Sequence, residues 1–241
     1  MAIRQVEIED HEAELEAVKE KLQIDPERTA VVTIDMHRGH LDPVHGTLPV
    51  ALAESERVRQ HAGDLLEFAR RHGIKVIHVI LTLRPLEVGK GMPRLAAGLV
   101  LSPTAPMTEA RRQEIPHNVQ GSIQTELMPE IGPADGDLII DNKKTLSAFL
   151  GTDLEHLLKV QGIDTVVLIG INTNTCIQCS SFDSTNLGYK TVVISDCVAS
   201  MYGDDLHELG LQNISRCIGW VLTVDEFKQK VRQYLEEGAR G

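Results

Sequence analysis

Short apolar runs rich in β-branched residues recur along the chain, and helical spacing of apolar positions separates several of them. The runs predict strands over 29–36, 74–81, 137–144, 164–170 and 190–196. Helical spacing predicts helices over 9–22, 53–72 and 152–162, with another beginning near Cys176. Continuous apolar strands that alternate with helices are typical of a parallel sheet covered on both faces. We therefore predict an α/β fold, a doubly wound parallel sheet in a three-layer sandwich.

Residues that favour helix caps and turns set the predicted boundaries of the helices. Gly73 and Gly162 suit helix C-caps, and Thr152 suits an N-cap. Residues 1–28 predict a helical extension, and 29–241 a single domain. The segment 83–120 has little periodicity, so we expect an excursion over the surface that carries binding residues. The apolar stretch 217–227, with Trp220, fits either a last strand or an interface between subunits.

Charge and hydropathy limit the possible partners. The 24 Lys and Arg against 35 Asp and Glu give a net charge of -11 over 241 residues, which argues against a nucleic-acid partner. No apolar run has the length of a membrane helix, and the acidic, mixed N-terminus does not resemble a signal peptide. We expect a cytoplasmic protein that binds neither nucleic acid nor membrane.

Four cysteines lie in the last third of the chain, and without a secretion signal they are expected to be free thiols. Cys176 and Cys179 have the C-x-x-C spacing of a zinc or redox pair. A four-cysteine zinc site needs a second such pair, however, and Cys197 and Cys217 are too far apart to form one. We assign no role to Cys179, Cys197 or Cys217.

Three reactive side chains follow predicted strands, so the parallel sheet would bring them to one edge. They are Asp35, a lysine at 143 or 144, and Cys176. A helix N-terminus and a nearby lysine would lower the pKa of Cys176, while Asp35 would exchange its proton. Taken singly, an aspartate after a strand is a common turn cap, a lysine is commonly a solvated charge, and a free cysteine is commonly a small core residue.

Histidines His37, His40 and His45 follow Asp35 closely, and their spacing raises the question of a metal site. They share a single loop, and the sequence offers no clear second group of ligands. We therefore expect no metal and no other cofactor.

Three motifs carry a resemblance to a known family. The runs are VVTIDMHRGHLDP at 31–43, DLIIDNKKTLSAFLGTDLEHLL at 137–158, and a third over 166–200 that contains GINTNTC. Their order and spacing resemble the isochorismatase-like cysteine hydrolases, which include nicotinamidases, N-carbamoylsarcosine amidohydrolase, and hydrolases of biuret and ureidoacrylate. The similarity covers most of 29–227. It implies the isochorismatase-like fold and a catalytic Asp-Lys-Cys triad.

Carried over by position, the resemblance implies Asp35 as the acid/base and Cys176 as the nucleophile. The SAF motif at 147–149 places the lysine at Lys143, with Lys144 as the alternative if the register is shifted by one. The family's cis peptide falls between Ile171 and Asn172. The backbone N–H groups of Asn172 and Cys176 would then form an oxyanion hole.

Departures from the family pattern bear on the substrate. His37 replaces a common glutamine, and His40 replaces an aromatic residue. The metal motif of nicotinamidases, an aspartate with two spaced histidines, has no counterpart in 46–82, which argues against nicotinamide. Isochorismatases proper lack the nucleophilic cysteine, which argues against a vinyl ether.

The resemblance thus implies a hydrolase of a carbon–nitrogen bond in a small polar amide, ureide or N-carbamoyl compound, acting through an acyl-enzyme on Cys176. It also implies a homo-oligomer, either dimer or tetramer. An alternative is a catalytically idle member of the family that serves as a binding or scaffold protein.

Specificity is expected in the loop after Asp35 and in 83–120, because both would stand over the strand ends. Aromatic residues make up 3% of the chain, so a hydrogen-bonding pocket is favoured over a stacking one. The candidate donors to substrate are His37, Arg38, His40, Arg84, Arg94, His117 and Asn172.

Overall fold

A computed structural model describes residues 7–90 and 98–239. Six strands form its centre: β1 (Thr29–Ile34), β2 (Lys75–Leu81), β3 (Leu138–Lys143), β4 (Thr165–Ile171), β5 (Lys190–Ala199) and β6 (Trp220–Leu222). They make one parallel sheet in the order β3-β2-β1-β4-β5-β6. The predicted doubly wound α/β fold is confirmed.

Helices cover the sheet on both faces. They are α1 (Glu12–Glu20), α2 (Arg38–Leu41), α3 (Leu52–Arg71), α4 (Glu109–Arg112), α5 (Leu154–Val160), α6 (Gln178–Asn186), α7 (Asp204–Cys217) and α8 (Val224–Gly238). Successive side chains of each strand point to opposite faces of the sheet, so a strand can contribute side chains to two apolar clusters. In β1, Val31 joins a cluster that includes side chains of α3 and α8, whereas Ala30 and Val32 join one that includes side chains of α5 and α7.

The strand order reverses next to β1, and this reversal determines where the candidate active site lies. The last residue of β1, Ile34, pairs with Val79 of β2 on one side and with Gly170 of β4 on the other. On the far side of β2, Leu81 pairs with Lys143. The carboxyl ends of β1, β3 and β4 therefore lie along one edge, where open parallel sheets bind ligands.

Gly170 allows the backbones of β1 and β4 to approach closely near that edge. Its φ of 128° lies in a region that side chains disfavour, and a Cβ atom there would lie 1.9 Å from the carbonyl oxygen of Ile34. Any side chain at this position would push apart the strands that carry Asp35 and the turn to Cys176.

The predicted helix over 152–162 is shorter than expected, and its predicted N-cap, Thr152, is wrong. The N-cap is Asp153, which makes no side-chain capping bond. The Thr152 hydroxyl donates to the carbonyl oxygen of Ala148, 2.6 Å away, and accepts from the Leu154 N–H. The hydrogen bond to Ala148 holds Thr152 in the preceding turn, so the helix begins two residues later than the sequence pattern predicts.

Within the apolar stretch 217–227, Trp220–Leu222 form the last strand of the sheet, as one of the two predictions for this stretch had it. The Trp220 indole N–H donates to the carbonyl oxygen of Val18 at 3.2 Å, and Lys19 lies 2.8 Å from Glu226. No side chain of α1 is fully buried, and these polar contacts link the helix to β6 and to α8. Among the described residues, no helix is long and apolar enough to cross a membrane.

Candidate active site

Cys176 lies in a tight turn between β4 and α6. Strand β4 ends at Ile171, the peptide bond from Ile171 to Asn172 is cis, and a π-helical turn spans Thr173–Ile177. The carbonyl oxygen of Asn172 accepts hydrogen bonds from the N–H groups of Thr175 and Ile177. This wound turn places the Cys176 thiol in the protein interior, with 5% of the residue exposed.

Asp35 follows β1 directly and is 1% exposed. Its φ of 56° is in the left-handed region, which aspartate tolerates better than most residues because its short polar side chain can bond locally. Its N–H donates to Val79 at 2.9 Å, and its Oδ1 accepts from the N–H of Leu81 at 2.8 Å. Strand β2 therefore fixes both the backbone and the carboxylate of Asp35.

Lys143, the last residue of β3, joins these two groups. Its Nζ lies 2.5 Å from Asp35 Oδ2 and 3.5 Å from Cys176 Sγ, and the whole residue is 0% exposed. Lys144 points elsewhere, because its Nζ binds the carbonyl oxygen of Thr82 and lies 3.2 Å from Glu87. Of the two lysines that the sequence offered, Lys143 is the one in contact with Asp35 and Cys176.

The expectation of a lowered thiol pKa is wrong for this structure. Burial raises the pKa of Cys176 from its usual 9.0 to about 11, and this exceeds the opposing effect of the Lys143 charge. Asp35 adds to the rise through its own charge and a hydrogen bond with the thiol. The resting thiol is therefore neutral near pH 7, because removal of water outweighs the lysine.

Lys143 shows the opposite balance. Burial alone would lower its pKa, but Asp35 and Cys176 together raise it above the usual value. The ammonium group therefore stays protonated in a site without solvent. A buried ammonium beside a carboxylate and a thiol holds a fixed positive charge where negative charge on sulfur would develop.

Asn172, predicted to serve the oxyanion hole and to bind substrate, has its side chain occupied. Its Oδ1 accepts from the N–H of Met201 at 2.8 Å, which ties the turn to the end of β5. Asn174 strengthens the same link, since its Oδ1 accepts from the Ser200 hydroxyl at 2.8 Å. The role of the Asn172 and Cys176 backbone N–H groups stays a prediction.

The histidine group differs from the one that sequence spacing indicated. Ring nitrogens of His37, His40 and His117 all lie within 4.8 Å of one another, whereas His45 is not part of this cluster. Burial lowers the pKa of all three, well below the usual value for His37 and His117. His37 also lies beside the acid, with its Nε2 3.9 Å from Asp35 Oδ1. Loop packing, rather than sequence proximity, brings His117 into the group.

The two candidate arginines that the structure describes, Arg38 and Arg84, contact carboxylates. Arg38 lies 2.6 Å from Asp42 and 3.3 Å from Glu126. The largely exposed Arg84 lies 3.3 Å from Glu87. Arg94 falls outside the described residues. Among the candidate substrate donors that the structure describes, His37 lies near Asp35, with Nε2 3.9 Å from Oδ1, whereas Arg38 and Arg84 contact other carboxylates.

Asn118 is a component that sequence analysis did not identify. It is fully buried, and its Nδ2 lies 2.6 Å from His37 Nε2 and 3.0 Å from the carbonyl oxygen of Leu81. The one feature of the sequence that could have pointed to Asn118 is its position directly after His117, in a loop without periodicity. Such a position carries no motif, so only the folded loop shows that Asn118 reaches β2.

None of the cysteines is paired in a disulfide. Cys197 is buried in β5, Cys179 is half-buried in α6, and Cys217 is exposed at the end of α7. Of the four thiols, Cys176 is the one that hydrogen-bonds with Lys143.

Comparison with known proteins identifies the family. Residues 29–226 match the model of the isochorismatase domain. Maleamate amidohydrolase from Pseudomonas putida is 32% identical over 85% of this chain and 87% of its own length. A ureidoacrylate amidohydrolase from Caulobacter vibrioides is 30% identical over 89% of this chain and 96% of its own.

Solved structures agree with this match. A cysteine hydrolase from Pseudomonas syringae superposes with a TM-score of 0.74 at 25% identity and covers 89% of this chain and 97% of its own. N-carbamoylsarcosine amidase from Thermoplasma acidophilum superposes with a TM-score of 0.61 at 26% identity, and the match covers 82% of this chain and 97% of the amidase. With the domain model and these sequence relatives, the structural matches show that the chain belongs to the isochorismatase-like family.

Proposed function

We propose that this protein is an amidohydrolase that cleaves the carbon–nitrogen bond of a small polar amide, ureide or N-carbamoyl compound. The observation that supports this function most directly is the contact of Lys143 Nζ with both Asp35, at 2.5 Å, and Cys176, at 3.5 Å, inside the protein. The relatives named as amidohydrolases of maleamate and ureidoacrylate, and the amidase of N-carbamoylsarcosine, support the same reaction class.

The first half of the reaction follows from the charges of the site. Asp35 and Cys176 both contact Lys143 Nζ, and the proton of the neutral Cys176 thiol passes to the Asp35 carboxylate as sulfur attacks the substrate carbonyl. The Lys143 ammonium stabilises the negative charge that forms on sulfur. The carbonyl oxygen becomes an oxyanion, for which the backbone N–H groups of Asn172 and Cys176 are the proposed donors.

The second half returns the site to its starting state. Protonated Asp35 donates its proton to the leaving nitrogen, and the carbon–nitrogen bond breaks to release ammonia or an amine. Water then attacks the acyl-enzyme while Asp35 accepts one of its protons. The carbon–sulfur bond breaks, and the proton returns to Cys176, so Asp35 acts alternately as base and acid.

The substrate class follows from the side chains around the site. Maleamate and ureidoacrylate are both small acids that carry an amide or urea group, and they are the substrates in the names of the sequence relatives. Near Asp35 this chain has a cluster of polar imidazole rings, His37, His40 and His117, of which His37 lies 3.9 Å from the carboxylate. A polar acyl group fits such surroundings better than a flat heteroaromatic ring does.

An ammonia-release screen tests the proposal. The panel contains maleamate, ureidoacrylate, N-carbamoyl amino acids and nicotinamide, each with wild-type protein. Turnover is expected with at least one linear amide or ureide and little or none with nicotinamide. Preference for nicotinamide would overturn the substrate class. No release from any compound, with the protein folded, would favour the scaffold alternative.

We also propose that the protein is a homo-oligomer. Support comes from large apolar side chains that stay exposed on the last half of the chain, including Leu150 at 65% and Phe182 at 46%. Light scattering tests this proposal, and a single species of 26.6 kDa would contradict it.

A further inference from the structure

We propose that His37, His40 and His117 form a binding site for one divalent transition-metal ion, with zinc as the ion that fits best. One ring nitrogen from each lies within 4.8 Å of those of the other two. The ring centroids of His40 are 4.9 Å from those of both His37 and His117. Imidazole nitrogens are preferred ligands of such ions, and three of them leave a fourth position open.

The outer nitrogens of two rings are already fixed in the way that metal-binding histidines require. His40 Nδ1 lies 2.6 Å from the carbonyl oxygen of Leu48, which can only accept, so Nδ1 carries the proton and Nε2 is left as a bare lone pair. His117 Nδ1 lies 2.6 Å from the hydroxyl of Thr47. In metal sites, this outer hydrogen bond sets the tautomer and orients the ring.

The two anchoring groups belong to one rigid turn. The N–H groups of Thr47 and Leu48 both donate to the carbonyl oxygen of Gly39 at 3.0 Å, directly before His40. Gly39 itself is required there, because a Cβ atom would lie 2.2 Å from Asn118 Oδ1. Hydrogen bonds at Nδ1 therefore hold His40 and His117 in place, and their Nε2 atoms are the nitrogens left to bind an ion.

His37 supplies the observation that points to a ligand. Its side chain is 0% exposed, yet its Nδ1 has no hydrogen-bond partner, and neither does the buried Oδ1 of Asn118. An unmatched buried polar atom destabilises the folded protein, because its hydration is lost without a replacement. In the metal-bound form, His37 coordinates through Nδ1, its proton moves to Nε2, and the Asn118 amide turns its own unmatched Oδ1 to accept it. That turn gives up the Asn118 hydrogen bond to the Leu81 carbonyl oxygen, and because Oδ1 cannot donate, the Asn118 side chain must also shift away from Leu81.

The proposed ligands differ from the aspartate and two histidines of the nicotinamidase motif, which has no counterpart in 46–82. His37 and His40 come from the segment after β1, where His37 precedes α2 and His40 lies within it, and His117 comes from a separate loop. The site adjoins the reaction centre, because His37 Nε2 is 3.9 Å from Asp35 Oδ1. Its open position would accept an oxygen ligand, either water or an oxygen of a small molecule.

Metal titration of the full chain tests the inference. Protein stripped with a chelator is titrated with Co²⁺, whose visible absorption reports a site of low coordination number, and with Zn²⁺ in a calorimeter. Wild-type protein should bind one ion per chain. His117→Gln and His40→Gln should each bind at least about tenfold more weakly, the smallest loss typical of a damaged metal site. His156→Gln, which changes an exposed histidine of α5, is the matched control and should bind like wild type.

A second readout separates loss of the site from loss of the fold. Zn²⁺ should raise the unfolding temperature of wild type and His156→Gln but not that of His117→Gln, since an ion that binds only the folded state stabilises it. Equal Co²⁺ affinity in wild type and His117→Gln, or no binding by wild type, would overturn the inference. Neither readout uses amide hydrolysis, so a failure here leaves the proposed amidohydrolase reaction to its own test.

Discussion

Lys143 Nζ lies 2.5 Å from Asp35 Oδ2, and both residues are almost completely buried, at 0% and 1% exposure. The two residues are far apart in the sequence and stand at the ends of β3 and β1, with β2 between them. A pair of opposite charges without solvent is stable only while both partners are present. Each charge therefore depends on the other for its stability in the interior, and the same contact serves the proposed reaction.

Breaking this ion pair should destabilise the protein more than removing both charges. Lys143→Met leaves the Asp35 carboxylate buried and unpaired, so we expect a loss of about 3–5 kcal/mol in the free energy of unfolding. The double variant Asp35→Asn, Lys143→Met should lose clearly less. Urea unfolding at pH 7 measures the free energy of unfolding of Lys143→Met, of Asp35→Asn and of the double variant. If the loss in the double variant equals the sum of the losses in the two single variants, the charges are not coupled.

Catalysis should depend on Lys143 and not on Lys144. Lys143 opposes the rise in the pKa of Cys176, so Lys143→Met should raise that pKa further and reduce turnover strongly. Lys144→Met is the matched control, because its Nζ binds Thr82 and Glu87 instead. Steady-state rates on the preferred substrate decide between them. Greater damage from Lys144→Met would shift the assignment by one residue.

The strand pattern sufficed to predict that Asp35, a lysine at 143 or 144, and Cys176 lie at one sheet edge. The family resemblance selected Lys143 through the SAF motif at 147–149, but neither source predicted the electrostatics of the three side chains. Whether burial or the lysine determines the pKa of Cys176 depends on how much water reaches the sulfur. Sequence spacing carries no information on that point, and burial has the larger effect.

The histidine cluster shows a second limit of the same kind. His37 and His40 are close in sequence and could be grouped by spacing alone. His117 joins them through a loop whose path depends on contacts such as Asn118 with Leu81. His45 was equally close in sequence but is not part of the cluster. Loop residues without periodicity have no sequence pattern from which such a contact can be derived.

The buried thiol should make the protein less stable at alkaline pH. The pKa of Cys176 is raised in the folded state from its usual 9.0 to about 11, so between these values the unfolded chain loses a proton that the folded chain keeps. The free energy of unfolding should therefore fall as pH rises from 9 to 11. Cys176→Ala removes this contribution and keeps that of Cys197, which is also buried. Parallel curves for wild type and Cys176→Ala in urea would argue against the raised pKa.

A side chain at Gly170 should disturb both strands of the site. Gly170→Ala places a Cβ atom 1.9 Å from the carbonyl oxygen of Ile34, so the backbone must shift. Gly136→Ala is the matched control, because Gly136 also has a positive φ, 90°, but a Cβ atom there would meet nothing within 4 Å. We expect a loss of about 1–2 kcal/mol for Gly136→Ala and a clearly larger one for Gly170→Ala. Thermal unfolding gives the comparison, and equal losses would show that the close approach is unimportant.

The most direct test of the account is ammonia release from the preferred substrate by wild type, Cys176→Ala and Cys179→Ala. Cys179 is the matched control, since it is a half-buried thiol three positions further along the same turn and helix. With folding verified by circular dichroism, Cys176→Ala should reduce turnover by at least ~10³-fold, because it removes the attacking atom. Cys179→Ala should keep most of the wild-type rate. Turnover by Cys176→Ala at the wild-type rate would contradict the proposed mechanism.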